Sequence, residues 1–147
     1  MDAISLLKED HRKVEKLFKE IEEAPPGKRE QIYNEINKEL TIHAELEEKL
    51  FYPAADAAKQ THELALEAME EHKQMKIVLA DLEQADKKTE TWLAGFKVLM
   101  EDVQHHVKEE ETDLFPKIKK EVLSEQQLKA VGQQMEEMKS QLMATVR

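Results

Sequence analysis

The stretch His105–Ile118, "HHVKEEETDLFPKI", decides how the rest of the chain is read. It holds two histidines, three consecutive glutamates and a Leu-Phe-Pro. The helical period divides it into two faces. His106 and Glu110 continue the line of Leu99, Val103 and Leu114. His105 falls with Glu101, Asp102, Glu109 and Thr112, a solvated face. A second stretch upstream, His43–Pro53, "HAELEEKLFYP", repeats the arrangement: His, Glu at +4, a Leu-Phe pair and Pro at +10. Each His/Glu pair lies on one helix face, about 40° apart, where both side chains can reach adjacent metal ions.

Breakers around these two stretches set the organisation. Asp2 is an N-cap candidate for a helix running to about Glu23, which "APPG" at Ala24–Gly27 stops. A second helix is expected from about Lys28 to Asp56, with Pro53 as a stop or kink near its end. A third is expected over His62–Ala85, and a fourth over Trp92–Lys120 with Thr89 or Thr91 as caps. Ser124–Gln127, "SEQQ", is a capping-box signature opening a fifth, thinner helix to about Thr145. No segment alternates with period two. The expectation is all-α: one domain over residues 1–147, an up-down-up-down four-helix bundle over about 2–122, and a C-terminal helix (about 124–145) packed outside it.

Composition agrees. The 147 residues include only 3 Gly and 4 Pro, and 37% are charged, which favours long helices. The net charge of −10 disfavours nucleic acid and anionic membrane as partners. The absence of cysteine excludes disulfides, thiolate metal sites, iron–sulfur clusters and thiol nucleophiles. The N-terminus has no signal-peptide pattern and no run of apolar residues is long enough to span a bilayer, so a cytoplasmic protein is expected.

Each bundle helix has an apolar stripe at steps of three and four, and each stripe is interrupted. Helix one gives Ile4, Leu7, Val14, Phe18 and Ile21, with His11 in the gap. Helix two gives Ile32, Ile36, Leu40 and Leu50, with His43 and Glu47 in the gaps. Helix three gives Ala65, Ala68 or Met69, Met75, Leu79 and Leu82, with His72. Helix four gives Trp92, Phe96, Leu99, Val103 and Leu114, with His106 and Glu110. One histidine on an apolar face is ordinarily a hydrogen-bonded core residue. Four, with two carboxylates, make a core too costly to leave uncompensated. Cations between the helices compensate it: two carboxylates bridge two metals and four imidazoles cap them. Imidazole with carboxylate suits iron, manganese or zinc.

At this point the chain resembles the hemerythrin-like, or HHE cation-binding, domains. The resemblance rests on "LLKEDHRKVEKLF", "HAELEEKLFYP", "EEHKQMK" and "HHVKEEETDLFPKI", and runs from Asp2 to about Val122. It implies a non-heme centre of two oxo- or hydroxo-bridged iron ions held by His11, His43, Glu47, His72, His106 and Glu110, with Glu47 and Glu110 bridging. It implies binding of dioxygen, nitric oxide or peroxide, more as a metal- and oxygen-binding protein than as a dedicated enzyme. The alternative is a regulatory module whose iron mainly sets the fold. Oxygen-carrying members have a further histidine four residues from that of helix three; here the candidate positions hold Lys76 and Ala68. Glu111 is the rival to Glu110. Tyr52 and Tyr33 are expected to hydrogen-bond near the centre, and Met69 and Met75 to line its pocket. Phe18, Phe51, Trp92, Phe96 and Phe115 are expected in the core.

Overall fold

The computed structural model describes residues 1–145. Its first helix, α1, spans Ala3–Glu23, and Asp2 caps it by accepting from the Ser5 amide at 2.9 Å. A short 3₁₀ turn, Pro26–Lys28, leads into α2, which runs Arg29–Leu46, widens into a π-turn over Glu47–Phe51, and resumes over Tyr52–Ala57. Helix α3 spans His62–Gln84. Helix α4 spans Glu90–Glu109, capped by Thr89 through the Trp92 amide at 3.1 Å. It continues through a π-turn at Glu110–Leu114, the short helix Phe115–Lys117 and a second π-turn at Ile118–Val122. Helix α5 spans Glu125–Thr145. The capping box at its start is reciprocal: the Gln127 amide donates to Ser124 Oγ (3.1 Å) and the Ser124 amide to Gln127 Oε1 (2.8 Å).

The two long interruptions have one cause. Pro53 and Pro116 each lack an amide hydrogen, and each ring would press on the carbonyl four residues back. Those carbonyls belong to Lys49 and Thr112, both inside π-turns that begin at Glu47 and Glu110. The wider turn relieves the crowding and lets the helix pass through the proline, so α2 continues past Pro53, where a stop or kink is expected, and α4 continues past Pro116. Such bulges gather at functional sites.

Successive helices run antiparallel. α1 packs on α2, the end of α2 on α3, and α3 on α4, while α5 lies outside the bundle against α1 and α2. Gly132 is where α5 meets the N-terminus of α1: a Cβ there would lie 2.7 Å from the Asp2 carbonyl carbon and 2.8 Å from the Ala3 nitrogen. No helix among the described residues is long and apolar enough to cross a membrane.

The core is two clusters rather than one. The cluster near the α1 N-terminus includes Leu7, Leu46, Phe51, Ala65, Leu114, Phe115 and Ile118. The other includes Val14, Phe18, Ile36, Leu79, Phe96, Leu99 and Val103, and is rich in aromatic contacts, with Trp92 stacked on Phe96 at 5.3 Å. The expected aromatic core residues are all buried. Tyr33 departs from expectation: it belongs to the second cluster and donates to the Leu79 carbonyl, away from the polar layer. Met69 also departs, packing against the first cluster, because Ala68 takes the inward position beside it.

Candidate metal centre

Between the two clusters lies one buried polar layer. Every helix of the bundle contributes its interrupting residue to it: His11 from α1, His43 and Glu47 from α2, His72 from α3, His106 and Glu110 from α4, each less than a tenth exposed. The stripe argument explains the placement, since a residue one or two turns from Leu7, Ile36, Leu79 or Leu99 must also face inward.

The six side chains fall into two groups joined by Glu47. His11, His43, Glu47 and Glu110 bring four ligand atoms within 4.8 Å of one another, as do Glu47, His72 and His106. Each carboxylate touches one histidine of each pair. Glu47 Oε1 is 3.1 Å from His43 Nε2 and 3.1 Å from His72 Nε2. Glu110 Oε1 is 3.2 Å from His11 Nε2 and 3.5 Å from His106 Nε2. The imidazole rings of each pair sit 4.9 Å apart. Glu110, not Glu111, therefore occupies the position equivalent to Glu47.

Several of these contacts are close without being hydrogen bonds. His11 Nε2, His43 Nε2, Glu47 Oε2 and Glu110 Oε1 are buried and have no hydrogen-bond partner. Buried polar atoms are nearly always satisfied. Four orphaned donor atoms converging in one layer fit a bound cation, and the mixture of imidazole and carboxylate fits iron, manganese or zinc.

Around this layer runs a second set of carboxylates, which the sequence reading did not pick out as a set. His43 Nδ1 donates to Asp10 (3.0 Å), His72 Nδ1 to Glu48 (2.9 Å), His106 Nδ1 to Glu71 (2.7 Å) and His11 Nδ1 to Glu111 (2.6 Å). All four Nε2 atoms are thereby turned inward, the arrangement that orients metal-ligating histidines and raises their basicity. The bonds form a ring: α1 supports the histidine of α2, α2 that of α3, α3 that of α4, and α4 that of α1. Two links are anchored further out. Lys139 of α5 reaches Asp10 at 2.5 Å, and Lys76 reaches Glu48 at 3.0 Å. Lys76 thus turns away from the polar layer. The signal available in sequence was that each supporting carboxylate adjoins an inward residue: Asp10–His11, Glu47–Glu48, Glu71–His72, Glu110–Glu111.

Tyr52 follows the first π-turn and points into the layer, as expected. Its hydroxyl donates to Glu110 Oε2 at 2.5 Å and lies 3.2 Å from His72 Nε2 and 3.3 Å from His106 Nε2. Burial, then the charges of Glu110 and Glu47, hold its phenol protonated well above the usual tyrosine range. The carboxylates are unequal. Burial pushes Glu47 up, but His43 and its hydrogen-bond partners outweigh this and hold it well below the usual range. Burial and the neighbouring charge of Glu47 push Glu110 up. Burial opposes charge on His43, yet Glu47 and Asp10 prevail and raise it to about 10. His106 is likewise raised, by Glu110, Glu47 and Glu71 against burial.

His105 and His62 stay outside. His105 is exposed and pairs with Glu109 at 2.9 Å; His62 opens α3 and pairs with Asp56.

The chain is similar to known proteins over nearly its whole length. The family model described as the hemerythrin HHE cation binding domain matches residues 2–118. A DNA nickase of a Nostoc species is 31% identical over 130 residues, 86% of this chain but 36% of that protein, so the chain spans about a third of that relative. The uncharacterized protein Rv2633c of Mycobacterium tuberculosis is 28% identical over 92% of this chain and 83% of its own. The crystal structure of an HHE cation-binding-domain protein from Mycobacterium kansasii, a homolog of Rv2633c, superposes with a TM-score of 0.87 at 28% identity, covering 99% of this chain and 89% of that one. With this match and the layer of four histidines and two glutamates across a four-helix bundle, the chain belongs to the hemerythrin HHE cation-binding domain family.

Proposed function

We propose that the chain is a non-heme di-iron protein that binds dioxygen or a related small molecule, such as nitric oxide or peroxide, in storage, sensing or detoxification. The observation that carries this reading is the pair of ligand groups sharing Glu47, with Glu110 touching one histidine of each. Two groups call for two cations, and two carboxylates offset part of their charge. His11 and His43 would hold one ion and His72 and His106 the other, with Glu47 and Glu110 in reach of both pairs. Iron bound there supplies reversible redox change and open coordination positions.

The protein's own residues do the rest. The ring of carboxylates fixes the histidines in one tautomer. The two apolar clusters flank the layer on either side. Tyr52 supports a further role. Lys76 occupies one position where oxygen-carrying relatives have a histidine, and its ammonium turns to Glu48. The Tyr52 hydroxyl instead stands beside His72 and His106, where it would offer an oxygen to an ion held by that pair. That substitution of phenol for imidazole favours redox or sensing chemistry over simple oxygen carriage. The net charge of −10 supports a small-molecule partner rather than the DNA named for the Nostoc relative.

Metal analysis with optical spectroscopy tests the reading. The purified chain should carry about two iron per molecule, and the reduced protein should change its near-ultraviolet spectrum on exposure to air. His43→Ala and His106→Ala should each lose metal. Wild-type protein that neither contains nor takes up iron refutes the proposal.

A further inference from the structure

Above the histidines, on the side of the aromatic cluster, lies a partly open pocket of about 230 Å³ that touches His11, His43, His72 and His106 and reaches the surface at Arg12, Thr41 and Lys76. Its walls are mainly apolar: Val14, Phe18, Leu79 and Val103 are buried there, and Met75 and Val107 are half-buried. A bound water occupies roughly 30 Å³, and an apolar cavity of about 150 Å³ accepts benzene. The space is therefore several times what a diatomic gas fills, even after part of it is given to metal ions.

The sequence could have filled it. One layer further along the same helices, Phe18, Tyr33, Trp92 and Phe96 pack ring against ring. Over the histidines the chain instead places short side chains, Ala44, Val14, Val103 and Val107. A concave, mainly apolar pocket beside a few convergent polar groups is the usual form of a small-molecule site. The edge of the pocket carries both signs of charge, Arg12 and Lys76 against Asp10, Glu15 and Glu111, with Asp10 already paired to Lys139, so neither sign dominates. Glu15 and Gln104 also lie there, hydrogen-bonded across α1 and α4 at 3.0 Å.

We propose that this cavity is a binding site for a neutral, largely apolar organic molecule, about the bulk of a small alkylbenzene, seated directly over the four histidines. This extends the metal-centre reading: it assigns that site an organic ligand or co-substrate besides a diatomic gas. Any small oxygen-bearing group on the molecule would face the histidine floor or the polar edge, away from the apolar walls.

The test uses the full chain as purified, with its metal content measured first, and ethylbenzene as the probe. Binding is followed by protein NMR and by the shift in melting temperature. Expected is saturable one-site binding that moves the methyl resonances of Val14 and Val103. Val107→Phe, which fills the cavity from a half-buried position, should weaken binding at least tenfold with metal content unchanged. Met75→Phe serves the same purpose from α3 should the first variant fold poorly. Absence of saturable binding to the wild-type chain overturns the inference, as does equal binding by wild type and both filled variants. Low iron content with intact probe binding would count against the di-iron reading alone.

Discussion

Lys139 lies outside the 2–118 span matched by the family model, yet it ends a chain of contacts that reaches the metal layer. Its ammonium is 2.5 Å from Asp10 Oδ1, and Asp10 Oδ2 is 3.0 Å from His43 Nδ1. Asp10 is buried, while the Lys139 side chain is 28% exposed. Replacing Lys139 with Met keeps the stem's packing and removes the charge. Breaking a fully buried pair costs about 3–5 kcal/mol, and an exposed one about 0.2–1 kcal/mol. The partial exposure of Lys139 sets its loss between these, about 2 kcal/mol. For a chain of this size that is a fall of roughly 4–8 °C in melting temperature. Lys139→Arg should restore most of it.

A double-mutant cycle with Asp10→Asn separates this relay from a general weakening of α5. If Lys139 acts through Asp10, the Met substitution should cost little once Asp10 is already amide, giving a coupling of about 1–2 kcal/mol. The metal-loaded protein adds a second readout. An Asp10 freed of its lysine pulls harder on the His43 proton, making His43 a stronger donor, so the optical spectrum should shift in Lys139→Met and return in Lys139→Arg. Additive losses with an unchanged spectrum would refute the reasoning and leave Lys139 as a surface anchor only.

Further outcomes follow from the same layer and from the seat of α5 on α1. In the metal-free chain the Glu47 and Asp10 carboxylates raise His43 to about 10, and Glu110, Glu47 and Glu71 raise His106, so metal loading should release protons; calorimetry in buffers of different ionisation heat should detect them. A raised histidine stabilises the fold fully below about 6.5 and loses that contribution as pH climbs through its folded value. The metal-free chain should therefore weaken from neutral pH toward 10 while metal affinity grows, and a metal affinity independent of pH would contradict the assignment. Tyr52→Phe should leave the chain folded but remove any visible phenolate-to-iron absorption; an unchanged spectrum would make Tyr52 a hydrogen-bond donor only. Gly132→Ala should cost about 1–3 kcal/mol by forcing α5 off the α1 N-terminus, measured by chemical denaturation of the metal-free chain.

The buried polar layer was legible in the sequence because a buried helix face repeats every three or four residues, so His11, His43, Glu47, His72, His106 and Glu110 each stood out as a polar gap. The π-turns were legible only as prolines at Pro53 and Pro116, since a proline reads as a stop unless the wider turn that admits it is known. The supporting carboxylates were hidden for a different reason. Asp10, Glu48, Glu71 and Glu111 each serve a histidine on another helix, and no local period reports a partner across a seam.

Their positions nonetheless obey a rule that the topology supplies. On α1 and α3 the supporting carboxylate comes one residue before the inward histidine; on α2 and α4 it comes one residue after the inward glutamate. Those steps look opposite in sequence. In an up-down-up-down bundle they are the same step in space, because a residue backward on an ascending helix and a residue forward on a descending one both move toward the α1 N-terminal end. On right-handed helices that shared direction means a rotation of about 100° in one shared sense. Each carboxylate is therefore swung from the interior toward the same neighbouring side, and four such swings close a ring. The alternation of Asp-His and Glu-His with Glu-Glu is what antiparallel helices require to orient four histidines alike, so the dipeptides carry the bundle's topology as well as its chemistry.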